Sequence, residues 1–256
     1  MTTATDRQTA GRRLPGRRRP GNIPSMTTPY GKPGYEPRTY RRTVAPEGLV
    51  CFEAVIKETD LQVCADRDLT GETEDLIARA RWDLESHIAL DPLFADSYVP
   101  VDVPDHAPDI VRRMAEAARR VNVGPMAAVA GAVAEYVARG LAEHSAEVIV
   151  ENGGDIYMIG RADRTVSLWA GGSGATGSVG LTVRGGLMPV AVCTSSGTVG
   201  HSTSFGRADA VTVLAHDGAL ADAAATALGN RVHEPEDVDL AIEAAREMIG
   251  VLGVVV

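Results

Sequence analysis

A chain of 256 residues, 45% hydrophobic and 23% charged, suits one or two globular domains with a sizeable core. Residues 1–43 hold ten Lys/Arg against two Asp/Glu, which leaves a balance of −17 on the rest. A body that acidic excludes nucleic-acid wrapping, because phosphate contacts need clustered cations.

The chain also excludes a membrane-spanning helix, since no apolar run approaches the ~18–20 residues that cross a bilayer. Cys51, Cys64 and Cys193 form neither a metal motif nor an even disulfide set, which points to a reducing, cytoplasmic compartment. Residues 1–42, rich in Arg, Pro, Gly and Thr, read as a disordered basic tail. An unstructured leader upstream of a start at Met26 is the expectation there, ahead of a tail for an anionic partner.

From Val50 to Ala65 apolar and polar residues alternate around "KETD", the pattern of a hairpin. Ile77, Ala80, Leu84 and Ile88 then recur at helical spacing within Thr73–Ile88, with Glu74 and Asp75 in the first turn. The proline-rich stretch Asp91 to Asp109 reads as a loop. Pro108 opens a second helix through Ile110, Val111, Met114, Ala117 and Val121. Gly124-Pro125 marks a third start, and Met126 to Leu141 carries Val129, Val133 and Val137 on one face of a buried helix.

Strand-like segments follow at 147–150, 156–159, 165–170, 179–183, 189–193 and 210–214. Two helices are expected at about 219–228 and 235–249, and the apolar stretch 249–256 suits a last strand. Strands interleaved with helices and hairpins predict an α+β (mixed α/β) domain over residues 43–256, with mixed sheets and packed helices rather than a regular doubly wound sheet.

Three stretches carry candidate chemistry. Asn152, Gly153, Gly154 and Asp155 sit between two strands, where the glycines accept the positive φ of a tight turn. The same glycines let backbone amides approach a phosphate or flavin. Asp222 and Thr226 fall at i, i+4 on one helix face, an oxygen pair suited to a hard cation such as Mg²⁺. Read alone, Asp222 also suits a first-turn residue that complements the helix dipole, and Thr226 a surface position. His201 has the pKa range of a general base, or is a hydrogen-bonded loop residue. Cys193 ends an apolar strand, which favours an inert thiol. Gly124, preceding a buried helix, leaves amides at its start that suit an anion.

In order, "KETDL" (57–61), "VGPMAAVAG" (123–131), "VENGGDI" (150–156), "GHSTSFGRAD" (200–209) and "ADAAATALGN" (221–230) resemble a cytosolic branch of the ApbE-like superfamily. Its named members are FAD:protein FMN transferases, also called thiamine biosynthesis lipoproteins. The resemblance runs from about Tyr40 onwards and implies the ApbE-like fold. It also implies that Asn152, Gly153, Gly154 and Asp155 line a flavin pocket, with Ser195, Ser196 and Gly197 as a turn beside it. Asp222 and Thr226 match the "AD-x-x-x-T" pattern that supplies oxygens to Mg²⁺.

Two family features have no counterpart. The segment Gly124–Gly131 contains no lysine, and between Thr198 and Asp209 stands His201 without an Asp-Pro. The resemblance therefore implies a phosphorylated small-molecule ligand (FAD, another flavin or a nucleotide) held with Mg²⁺, with Asp155 and His201 as candidate catalytic groups of a flavin or nucleotidyl transferase. The alternative is a non-catalytic nucleotide- or partner-binding protein of a cofactor or sulfur-assimilation pathway that keeps the fold. Neither reading calls for nucleic acid or membrane, and the small-residue helices and apolar C-terminus permit a homodimer.

Overall fold

The computed structural model describes residues 46–168, 179–197 and 204–256. The expected tail over residues 1–42 and the candidate His201 lie outside these residues.

Strands β1 (Val50–Ile56) and β2 (Thr59–Ala65) form the expected hairpin. Lys57 takes φ 53 in its turn, and its ammonium holds Glu85 at 2.8 Å. Cys51 faces Cys64 across the two strands, and the pair is bonded as a disulfide. The reading of the cysteines as unpaired is thereby corrected. Strand register puts residues 13 apart in sequence side by side, so cysteine usage no longer argues for a reducing compartment. Cys193 is the free, buried cysteine.

Helix α1 (Thr70–Leu90) buries Thr73, Ile77, Ala80, Leu84 and His87, a spacing of three and four that lays one stripe on the core. The stretch expected as a plain loop contains a one-turn helix, α2 (Leu93–Asp96), where the Leu93 N–H donates to the Asp91 carboxylate at 3.2 Å. Helix α3 (Asp109–Val121) begins directly after Pro108 and ends at Asn122 in the left-handed conformation.

The third helix does not start at Gly124-Pro125. A 3-10 turn, Pro125–Ala128, precedes α4 (Val129–Leu141). The chain at Gly124 is pinned against another segment: a Cβ there would lie 1.8 Å from the Ser97 carbonyl oxygen.

Strands β3 (Val148–Asn152), β4 (Asp155–Ile159), β7 (Val190–Ser195), β8 (Val211–Ala215) and β9 (Val251–Val255) join the first hairpin in a seven-stranded sheet. Its order is β1-β2-β3-β4-β7-β8-β9, antiparallel throughout. Strands β5 (Arg164–Ser167) and β6 (Gly180–Val183) make a separate antiparallel pair. Val166, Leu181 and Val183 of that pair pack with Met158, Val190 and Val192 of the large sheet. Helices α3, α4 and α5 (Gly218–Gly229) share the main core with the sheet, and α6 (Val238–Glu247) follows another 3-10 turn. The architecture is the expected α+β class. Among the described residues no single helix is long and apolar enough to cross a membrane.

Helix α5 is buried along nearly its whole length, which its alanines allow by keeping it thin. It crosses α4 backbone to backbone: a Cβ on Gly131 would lie 2.2 Å from the Gly218 carbonyl oxygen, and one on Gly218 would lie 2.5 Å from that of Gly131. Beside the crossing, buried Glu135 accepts from the Gly218 N–H at 2.7 Å and pairs with Arg113 and Arg139, each at 2.6 Å. Glu135 is the buried member of both pairs, so removing its partners would strand its charge in the core.

The crossing predicts a severe effect from one methyl group. Gly131→Ala sets a side-chain carbon against backbone that has nowhere to move, so urea denaturation should show a loss of about 3 kcal/mol or more. A change within about 0.5 kcal/mol, the range of neutral surface substitutions, would mean that the helices are not in this contact.

Candidate functional site

The β3–β4 turn is a two-residue loop. Gly153 and Gly154 take φ 68 and 108, Asn152 pairs with Asp155 across it, and the Gly154 N–H donates to Glu151 at 2.8 Å. Positive φ at both central positions is the reason for two glycines. The hairpin reading of this stretch therefore holds, and what its flanking residues touch gives the turn a second meaning.

Asn152 donates its side-chain amide to the Ala130 carbonyl at 3.1 Å, fixing the hairpin tip against the first turn of α4. Asp222, on α5, accepts from the Gly131 N–H at 2.9 Å in that same turn. Such amides at a helix start have no partner within the helix. Asp155 accepts from the Thr194 N–H of β7 at 3.0 Å. Four stretches far apart in sequence thus meet through three hydrogen bonds.

The carboxyls at this junction carry an electrostatic load. Burial pushes Asp155 up to about 7, against the opposing hydrogen bonds from the Thr194 N–H and the Cys193 thiol, and the charge of Glu151 adds to the rise. Asp222 also lies well above the usual carboxylate range, first because its carboxyl is desolvated and then because Asp155 is a like charge nearby. Burial likewise pushes the Cys193 thiol up, with Asp155 and Asp222 adding to it, which fits an inert thiol. No ion pair among the described residues involves Asp155 or Asp222.

Helix α5 starts at Gly218, capped by the Asp217 side chain on the Leu220 N–H at 2.9 Å. Asp222 is thus beyond the first turn, so complementing the dipole does not explain it. Thr226 is buried at 9% exposure and is no surface residue. Ser195 ends β7 near Gly229 at the other end of α5, and the Gly197 N–H donates to Ala208 at 2.9 Å. The serine turn and Asp222 therefore sit along one helix, seven residues or about 10 Å apart. Gly124 is filled by the Ser97 backbone, so close packing accounts for that glycine. Next to it, exposed Tyr98 meets exposed Phe205 edge to face with ring centroids 5.2 Å apart. Sequence reading passed over this pair, although aromatics are only 4% of the chain.

Among the described residues, no three His, Cys, Asp or Glu side chains form a metal cluster. A cation at the junction would draw on the Asp222 and Asp155 carboxylates, the Thr226 hydroxyl and backbone carbonyls, an all-oxygen set that suits Mg²⁺. The two unpaired, desolvated carboxylates fit that need. Two surface recesses lie elsewhere: one of about 230 Å³ beside Arg112, Arg113 and Asp217, and one of about 400 Å³ beside Trp82 and Tyr136. Neither is lined by Asp155 or Asp222.

Residues 41–250 match the family model described as AbpE bacteria. A UPF0280 protein of Methanocaldococcus jannaschii is 45% identical over 208 residues, covering 79% of this chain and 84% of the relative. A UPF0280 protein of Methanopyrus kandleri is 41% identical over 201 residues, covering 78% and 80%. Among solved structures, the ApbE protein of Thermotoga maritima aligns with a TM-score of 0.50 at 12% identity, over 79% of this chain and 92% of that one. That likeness is one of fold alone. The flavinyl transferase ApbE of Pseudomonas stutzeri gives a TM-score of 0.46 at 16% identity, over 77% and 88%.

The raised Asp155 fixes a pH dependence. Its proton is held more tightly in the folded chain, so the stability it contributes is complete below about 3.8 and is lost as the pH rises towards about 7. With chelator present, Asp155→Asn keeps an oxygen for the Thr194 N–H and removes the titration. Its melting temperature should fall less than that of the parent chain over that interval, by a few kcal/mol of stability. Parallel curves for the two proteins would show that Asp155 titrates normally.

Proposed function

The chain belongs to the family described as AbpE bacteria, an ApbE-like branch, and on that premise we propose that it binds a phosphorylated, flavin-type ligand with a divalent cation beside Asp155, Asp222 and Thr226. The observation that carries this reading is the meeting of Asn152, Asp155 and Asp222 with the first turn of α4 and with β7. The flavin class comes from the motif resemblance, supported by family membership.

A divalent cation would offset phosphoryl charge at this position. Some of the chain's cations are already engaged. Its lysines are Lys32, outside the described residues, and Lys57, which is held by Glu85. Arg113 and Arg139 are committed to Glu135.

In its catalytic form the proposal is the transfer of FMN from FAD. An acceptor hydroxyl attacks the FMN phosphorus, the phosphoanhydride bond breaks, AMP leaves and a phosphoester forms. The hydroxyl proton passes to a carboxylate base, for which Asp155 is the candidate. The lack of a lysine from Gly124 to Gly131 favours a second reading, a protein that binds the ligand without the transfer step.

Incubation with FAD and Mg²⁺ separates the two. AMP release together with FMN on a Ser/Thr-containing acceptor is expected for the transferase. A rise in melting temperature with FAD but no AMP supports the binding protein, since a ligand of the folded state must stabilise it. FAD that neither turns over nor shifts the melting temperature at any Mg²⁺ concentration would remove the flavin reading. By titration, Asp222→Ala should weaken Mg²⁺ or Mn²⁺ binding by about tenfold or more, as expected when a ligand is deleted. Unchanged affinity would count against the cation site.

A further inference from the structure

Tyr98 and Phe205 belong to distant segments, yet their rings meet edge to face while remaining 50% and 57% exposed. A single exposed ring needs no explanation; a pair held together on fixed backbone does. The Phe205 N–H donates to the Asn230 side chain at 2.8 Å. A Cβ on the next residue, Gly206, would lie 1.8 Å from the Gly229 carbonyl oxygen. Beside Tyr98, the Ser97 carbonyl lies against Gly124. The Ser97 hydroxyl donates to the Val99 carbonyl at 2.7 Å and accepts from the Val99 N–H at 3.1 Å. Both rings therefore stand in water on pinned backbone, the support that a recognition surface needs.

Asn230, which carries the Phe205 backbone, continues the series of Asp222 and Thr226 at steps of four residues along α5. From Asp222 to Asn230 the series spans about 12 Å of helix. Beside Gly229, one residue short of Asn230, stand the Ser195 and Ser204 hydroxyls, 3.7 and 3.9 Å from where a Cβ would be. Along the helix the groups thus pass from a carboxylate, through hydroxyls, to aromatic rings.

We infer that Tyr98 and Phe205 form the ring end of the ligand site and stack on the isoalloxazine of a flavin whose phosphate lies at the Asp222 end. This rests on the reading of Asp155 and Asp222 as the place of a phosphorylated ligand and its cation. The order of the groups is that of a flavin nucleotide, which carries a phosphate, a hydroxylated chain and a flat ring in line. Its open polyol separates phosphate from ring, whereas the closed sugar of an adenine nucleotide keeps the base close. A span of about 12 Å therefore suits the flavin. Aromatic rings gain from offset or edge-on contact with further rings, and both of these keep half their surface open for one.

Both rings are exposed, so Tyr98→Ala and Phe205→Ala should keep the circular dichroism and melting temperature of the ligand-free parent. With Mg²⁺ present, each should weaken FMN binding by about tenfold in a titration, the effect of losing one aromatic stack. Phe205→Tyr, which keeps a ring, should restore it. Mn²⁺ affinity measured without flavin should stay at the parent value in all three, because the carboxylates are untouched. FMN bound as tightly by both alanine variants as by the parent overturns the inference and leaves the flavin reading standing. So does a loss seen with AMP and not with FMN, which would put adenine at the rings. An equal loss of Mn²⁺ affinity also overturns it, since the rings would then act through the fold. A parent chain that binds no FMN removes this inference and the flavin reading together.

Discussion

The contact on which the rest depends is the backbone-to-backbone crossing of α4 and α5 at Gly131 and Gly218. No side chain separates the helices there. Asp222 therefore reaches the Gly131 N–H, and Glu135 reaches the Gly218 N–H from the other helix. Each helix supplies a carboxylate to an amide near the start of the other, where the unpaired N–H groups and the helix dipole both favour an anion. Any residue larger than glycine would push the axes apart and break both bonds. The alanines of α5 serve the same end, since a thin helix can lie between α4 and the sheet.

The two sides of the crossing are treated differently. Glu135 is compensated: two arginines at 2.6 Å and the Gly218 N–H surround it, and the Tyr157 hydroxyl stands at 3.3 Å. Asp222 and Asp155 are not. They repel each other and are desolvated, and the hydrogen bonds they accept do not reverse the rise in pKa. Two arginines face one buried glutamate and none faces the two aspartates, and on this contrast the proposed cation site rests. A proton fills it at low pH. Near neutrality a divalent cation is the chemically reasonable occupant, because a carboxylate pair and a hydroxyl are hard oxygen donors.

Much of the fold was legible because it follows local rules. The hairpins announced themselves by alternation and turn residues, and α1 and α3 by the spacing of their buried faces. What failed did so where distant chain segments decide. Nothing near Gly124 in sequence shows that Ser97 lies against it, so the 3-10 turn before α4 was unreadable. The Cys51–Cys64 bond needed the strand register. The glycines at 153 and 154 were read correctly as a turn, yet their flanking residues matter through Ala130 and Thr194, 22 and 39 residues away. Asp222 and Thr226 were found by helical spacing and the family pattern. The burial of Thr226 and the place of Asp222 beyond the first turn follow from the packing and start of α5, which helical spacing does not show.

The proposed divalent cation lies between Asp155 and Asp222. Crystals grown with Mn²⁺ and measured at its absorption edge test this without reference to substrate or turnover. The expected result is an anomalous peak within about 2.5 Å of an Asp222 carboxylate oxygen, with Asp155 and Thr226 facing it. A peak bound elsewhere, or none at saturating Mn²⁺ with both aspartates ordered, would contradict it.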